Sequence, residues 1–99
     1  AIAKCLGVHK LTSLKVTNCN MGDSELKILA PALGLVAGLN ELSLSGNIFT
    51  DASGVLLGKL RSLTHLDLSK CFGITDATIK AVSAECKNLE AFNLRQCHR

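Results

Sequence analysis

Apolar and polar positions alternate along the chain in one recurring phrase, Leu-x-x-Leu-x-Leu-x-x-Asn/Cys, found at Leu11–Cys19, Leu39–Asn47, Leu63–Cys71 and Leu89–Cys97. The starting leucines lie 28, 24 and 26 residues apart. Alternation with period two predicts a short strand in each phrase, its first, fourth and sixth positions turned inward and its third, fifth and seventh outward. The inward sets are Leu11/Leu14/Val16, Leu39/Leu42/Leu44, Leu63/Leu66/Leu68 and Leu89/Phe92/Leu94; only Phe92 departs in size. Repetition at this period predicts an α/β solenoid of four parallel strands, with the outward residues aligned in columns across the rungs.

A second phrase follows three of the strands: Met21-Gly22-Asp23, Phe49-Thr50-Asp51 and Ile74-Thr75-Asp76. An apolar anchor before a short polar pair suits a turn whose side chain caps a coming helix. Helices are expected to start near Ser24, Ala52 and Ala77, and apolar residues then recur at helical spacing in Leu26/Leu29/Ala30/Leu33 and Ile79/Val82/Cys86. The second helix should be short. Pro31 lies eight residues beyond Asp23, where it predicts a kink or break costing about 3 kcal/mol, with 34–38 as a loosely specified loop. Ala1–Lys10 reads as the tail of a helix, with Ile2, Leu6 and Cys5 inward.

These phrases resemble the leucine-rich repeat. The third unit, from Leu63 through Cys71, Ile74-Thr75-Asp76 and Ile79 to Cys86 and Leu89, is similar to the cysteine-containing subtype typical of F-box proteins. The second, Leu39 to Asn47 followed by Phe49-Thr50-Asp51, resembles the ribonuclease-inhibitor subtype. The resemblance implies a right-handed solenoid with a concave sheet and convex helices, and a module that binds proteins in an intracellular setting. The whole chain, residues 1–99, is expected to be one domain with repeats starting near Leu11, Leu39, Leu63 and Leu89. It is also expected to be a stretch of a longer array, because neither end carries the polar capping unit that closes such arrays.

Composition narrows the function. Hydrophobic residues make up 47% of the chain, with three Phe and neither Trp nor Tyr, so the core is aliphatic. A net charge of +3 spread along the sequence does not form the basic patch of a nucleic-acid binder. No apolar run is long enough for a membrane span. Five cysteines without dense spacing, no signal-peptide pattern and no Asn-x-Ser/Thr sequon fit an intracellular protein. Glycines fall singly at turns, which argues against a phosphate-binding loop, and no cofactor is expected.

Cys19, Asn47, Cys71 and Cys97 share the ninth position of successive rungs, where a small polar side chain can satisfy backbone groups at the strand-to-loop turn. That reading outweighs a metal or redox row, although a Cys71–Cys97 disulfide is geometrically conceivable. His65 stands beside Glu41 in the third column with Asp67 two residues on. An open sheet gives them neither a nucleophile's pocket nor an oxyanion hole, so catalysis is not expected.

The columns Ser13/Glu41/His65/Ala91, Lys15/Ser43/Asp67/Asn93 and Thr17/Ser45/Ser69/Arg95, rimmed by Asn18/Gly46/Lys70/Gln96, would form a polar face for a protein or peptide. Its candidate binding residues are Lys15, Glu41, His65, Asp67, Lys70, Asn93 and Arg95, with Phe72 as an exposed aromatic anchor. The alternative is an architectural solenoid segment that touches its neighbours, or a second copy, through uncapped ends.

Overall fold

The computed structural model describes residues 12–36 and 38–97. The expected helix tail over Ala1–Lys10, with Leu11, His9, His98 and Arg99, lies outside them. Four three-residue strands, β1 (Ser13–Lys15), β2 (Glu41–Ser43), β3 (His65–Asp67) and β4 (Ala91–Asn93), form one sheet in chain order. All pair in parallel, and the register places Leu14, Leu42, Leu66 and Phe92 on one line. That register is the one the apolar phrase demands, since a one-residue slip would turn every leucine to solvent.

Parallel neighbours need a crossover. Here it is supplied by α1 (Asp23–Gly34), by a 3-10 turn (Asp51–Ser53) leading into the short α2 (Gly54–Gly58), and by α3 (Asp76–Glu85). Leu26, Leu33, Leu57 and Val82 from these helices pack with Leu42, Leu44, Leu66 and Leu68 in a single core. Fully burying side chains of this size stabilises by roughly 1.5–3 kcal/mol each. Phe92 fits despite its size because its rung lies at one end of the sheet, where it is only partly buried.

α1, the 3-10 turn and α3 each start one residue before the expected helix position, at Asp23, Asp51 and Asp76, while α2 itself begins only at Gly54. Thr50 and Thr75 are the capping residues, their hydroxyls accepting the amides of Ala52 and Ala77. Gly22 has no side chain, and the Glu25 carboxylate instead accepts its N–H at 2.7 Å. Pro31 neither breaks nor ends α1, which runs through it to Gly34. The carbonyl that loses its partner belongs to Lys27, on the exposed side of the helix. The segment after it is also better anchored than expected: Val36 is buried and its amide bonds to Leu33.

The aspartates that follow the capping positions join one rung to the next. Asp23 accepts the Thr50 amide at 2.9 Å together with the Thr50 and Ser53 hydroxyls. Asp51 repeats this one rung on, accepting the Thr75 amide at 2.8 Å, the Thr75 hydroxyl and the Thr78 hydroxyl at 2.6 Å. For Asp23, partial burial pushes the carboxyl up, but the hydrogen bonds from Ser53 and Thr50 outweigh it and hold the group below its ordinary value. At Asp51 the bonds from Thr75 and Thr78 dominate and lower it outright.

A third ladder runs through the ninth position. Asn47 accepts the amides of Cys19 and Met21, both at 3.0 Å, and donates to the carbonyls of Val16 at 2.7 Å and Leu44 at 2.9 Å. The Cys71 and Cys97 thiols donate to Leu44 and Leu68, one rung back. These cysteines are free thiols, as the structural reading of the position expects. Burial pushes the Cys71 and Cys86 thiols up.

Candidate interaction face

The side of the sheet away from the helices is built by the outward residues of the four strands. Register aligns Ser13, Glu41, His65 and Ala91 in one column and Lys15, Ser43, Asp67 and Asn93 in the next. Together they line a groove of about 280 Å³ floored by Leu14, Leu42 and Leu66. Five of the expected binding residues, Lys15, Glu41, His65, Asp67 and Asn93, are therefore brought to one groove. Lys70 and Arg95 border a second depression, shared with Asn93, Ser69 and Gln96. Phe72 lies in neither; it is 55% exposed in the loop after β3, at the position held one rung earlier by Ile48, also largely exposed.

Several of these side chains also have work within the fold. One Asp67 oxygen accepts the Ser69 amide at 2.9 Å and the other the Ser43 hydroxyl at 3.4 Å. Asn93 repeats the first contact, accepting the Arg95 amide at 3.0 Å. The fifth-position residue thus closes the turn that follows its own strand, a local side-chain bond for which Asp and Asn are the suited residues. Ser69, expected to face outward, is buried, its hydroxyl donating to Ser45 at 2.9 Å. On that rung the seventh position curls into the turn, whereas Arg95 at the same place on the last rung is exposed.

Lys70 sits at the eighth position, where the backbone is left-handed on every rung: φ is 53° at Asn18, 73° at Gly46, 61° at Lys70 and 59° at Gln96. At Gly46 glycine meets the left-handed φ without strain, and an added Cβ would have to displace the Asn18 side-chain tip of the preceding rung. The strained backbone at Lys70 is therefore a property of the repeat.

His65 does not join the acids beside it. Its Nδ1 lies 2.9 Å from Thr64 Oγ1, which itself donates to the Asn40 carbonyl at 3.0 Å. Among the described residues no hydrogen bond links His65 to Glu41 or Asp67, no group of His, Cys, Asp and Glu could hold a metal ion, and no helix is long and apolar enough to cross a membrane.

A parallel sheet of one strand per unit, crossovers on one side and a ninth-position ladder define the leucine-rich repeat solenoid. The family model described as Leucine Rich repeat matches residues 9–24 and 59–83, which supports assignment to that family. No curated protein matches the chain. Leucine-rich repeat domains generally mediate contacts between proteins and are typically not enzymes.

Proposed function

We propose that the chain is a protein-interaction module that binds a protein or peptide in the groove formed by the third and fifth columns. One observation carries this reading: on three adjacent rungs, Lys15, Glu41 and His65 are exposed on a face where none of them serves a hydrogen bond across the rungs. Polar groups that include charges of both signs on adjacent rungs suit a segment laid across the strands, with charge complementarity setting specificity. Lys70 and Arg95 extend the surface with positive charge. Phe72 adds an apolar contact to the side.

The second and third units are proposed to be of the ribonuclease-inhibitor and cysteine-containing subtypes. A reducing, intracellular setting goes with this, because a disulfide would remove the S–H donors that Cys71 and Cys97 direct at Leu44 and Leu68. Thiol titration of the folded chain from its native source would reveal a disulfide there and count against that setting.

The test is capture of binding proteins by the wild-type chain and by a Lys15→Ala, Glu41→Ala, His65→Ala variant. Substitution should leave the unfolding midpoint nearly unchanged and abolish recovery of the partner. Equal recovery by both chains would remove the groove from the binding surface.

A further inference from the structure

Charge is unevenly placed between the groove and the rest of the molecule. The chain as a whole carries +3, yet the groove holds two carboxylates, Glu41 and Asp67, against the single ammonium of Lys15. Glu41 and His65 are register partners, as are Ser43 and Asp67. These four residues form a square over the two inner strands, β2 and β3, with the carboxylates on one diagonal and Ser43 and His65 on the other. Strands about 4.8 Å apart and alternate residues about 6.8 Å apart put the Cα atoms of that diagonal about 8 Å from each other.

Neither carboxylate of the square is matched by a cation. Among the described residues the only ion pair joins Arg61 to Glu85. Asp67 accepts the Ser69 amide and the Ser43 hydroxyl, but these neutral donors leave its charge in place and lone pairs to spare. Lys15 stands one rung away from Glu41 and is not paired with it.

Resting on the reading of this groove as the binding face, we propose that its occupant is an extended peptide segment with an arginine over the square and an acidic residue two positions from it. A guanidinium carries five N–H donors in a planar fork, enough to engage Glu41 and Asp67 together, and its plane can stack on the exposed His65 ring. An ammonium is a compact point charge and matches two separated acceptors less well. Lys15 fixes the second requirement. It lies one and a half rungs from the centre of the square, about 7 Å. Side chains on one face of an extended segment recur at nearly that distance, every second residue. A segment crossing the strands therefore brings a carboxylate to Lys15 when its arginine sits between Glu41 and Asp67.

The test selects binders to the whole chain from a phage-displayed library of random peptides, about twelve residues long so that an extended segment spans the four rungs. Sequences retained by the wild type and lost on the Lys15→Ala, Glu41→Ala, His65→Ala variant are groove binders, and they should be enriched in Arg with Asp or Glu two positions away. Synthetic peptides of those sequences should bind a Glu41→Gln, Asp67→Asn variant at least about tenfold more weakly. That variant keeps an oxygen at position 67 for the Ser69 amide, so its unfolding midpoint should hold. Selection on Lys15→Glu should keep the arginine and exchange the acidic residue for a basic one. Groove binders that carry lysine as readily as arginine, or neither, would overturn the inference and leave the groove as the binding face. So would arginine peptides indifferent to Glu41→Gln, Asp67→Asn. Recovery of no peptide that the triple alanine variant loses would overturn both.

Discussion

Thr78 Oγ1 lies 2.6 Å from Asp51 Oδ1, joining a fully buried hydroxyl on one rung to the carboxylate that opens the crossover of the rung before. The bond is charge-assisted, and its donor has no access to water. Thr78→Val keeps the shape and removes the donor, so it should destabilise the chain by about 1.5–3 kcal/mol in denaturant unfolding. Thr64→Val, which removes an exposed-side hydroxyl bond to Asn40, should cost about 1 kcal/mol or less.

Acid should act on the same ladder. Asp23 and Asp51 are held below the 3.8 of an unperturbed aspartate, so the unfolded chain binds protons there before the folded chain does. Their contribution is complete above that value and is lost as pH falls through the lower folded values. Stability measured by urea unfolding should therefore decline below about pH 5 and keep declining beneath pH 4. Asp51→Asn should make the decline shallower. An unchanged acid limb in that variant would show that Asp51 is not among the groups that set it.

The rungs, their register and the helix starts were legible because each leucine phrase obeys a period of two and each Thr-Asp pair marks a turn. The recurrence Thr50-Asp51-Ala52-Ser53 and Thr75-Asp76-Ala77-Thr78 also stood in the sequence. Its meaning did not, because a capping residue and an inter-rung acceptor use the same residue types, and only the stacking of rungs brings Asp51 to Thr78. Helix propensity overstated Pro31, through which α1 runs on to Gly34. The groove was readable as columns, yet the columns did not reveal that Ser69 turns inward or that Asp67 and Asn93 close their own turns.

Asn47 is nearly fully buried and serves five backbone groups on two rungs, those of Val16, Cys19, Met21 and Leu44 and, at 3.5 Å, the Ser45 carbonyl. Cysteine at the same position can donate to a carbonyl but is a weak acceptor for the two amides. Asn47→Cys should therefore destabilise by about 1–3 kcal/mol, and Asn47→Ala by more, since it orphans the carbonyls as well. Equal losses in thermal unfolding would mean that the thiol replaces nothing, and that the ladder bonds of Cys71 and Cys97 are weak.

Lys70 separates binding from stability. Its φ of 61° suits glycine better than lysine, so Lys70→Gly should leave stability unchanged or raise it by up to about 1 kcal/mol while removing an exposed charge. Partner affinity measured on this variant would then report the charge alone. A loss of stability of similar size would show that the lysine stem packs on the fold.

Leu66 and Leu94 are both inward leucines, at the fourth and sixth positions of their phrases, but their surroundings differ. Leu66 is 2% exposed, on a strand paired on both sides, whereas Leu94 follows β4 at the sheet's edge and is only partly buried. Truncation removes the same atoms at both, but the cavity term arises only where neighbours close around the site. Leu66→Ala should cost about 2–5 kcal/mol and Leu94→Ala clearly less, compared by urea unfolding of the same chain. If Leu94→Ala proves as damaging as Leu66→Ala at low protein concentration, the edge beside Leu94 is covered by the chain itself.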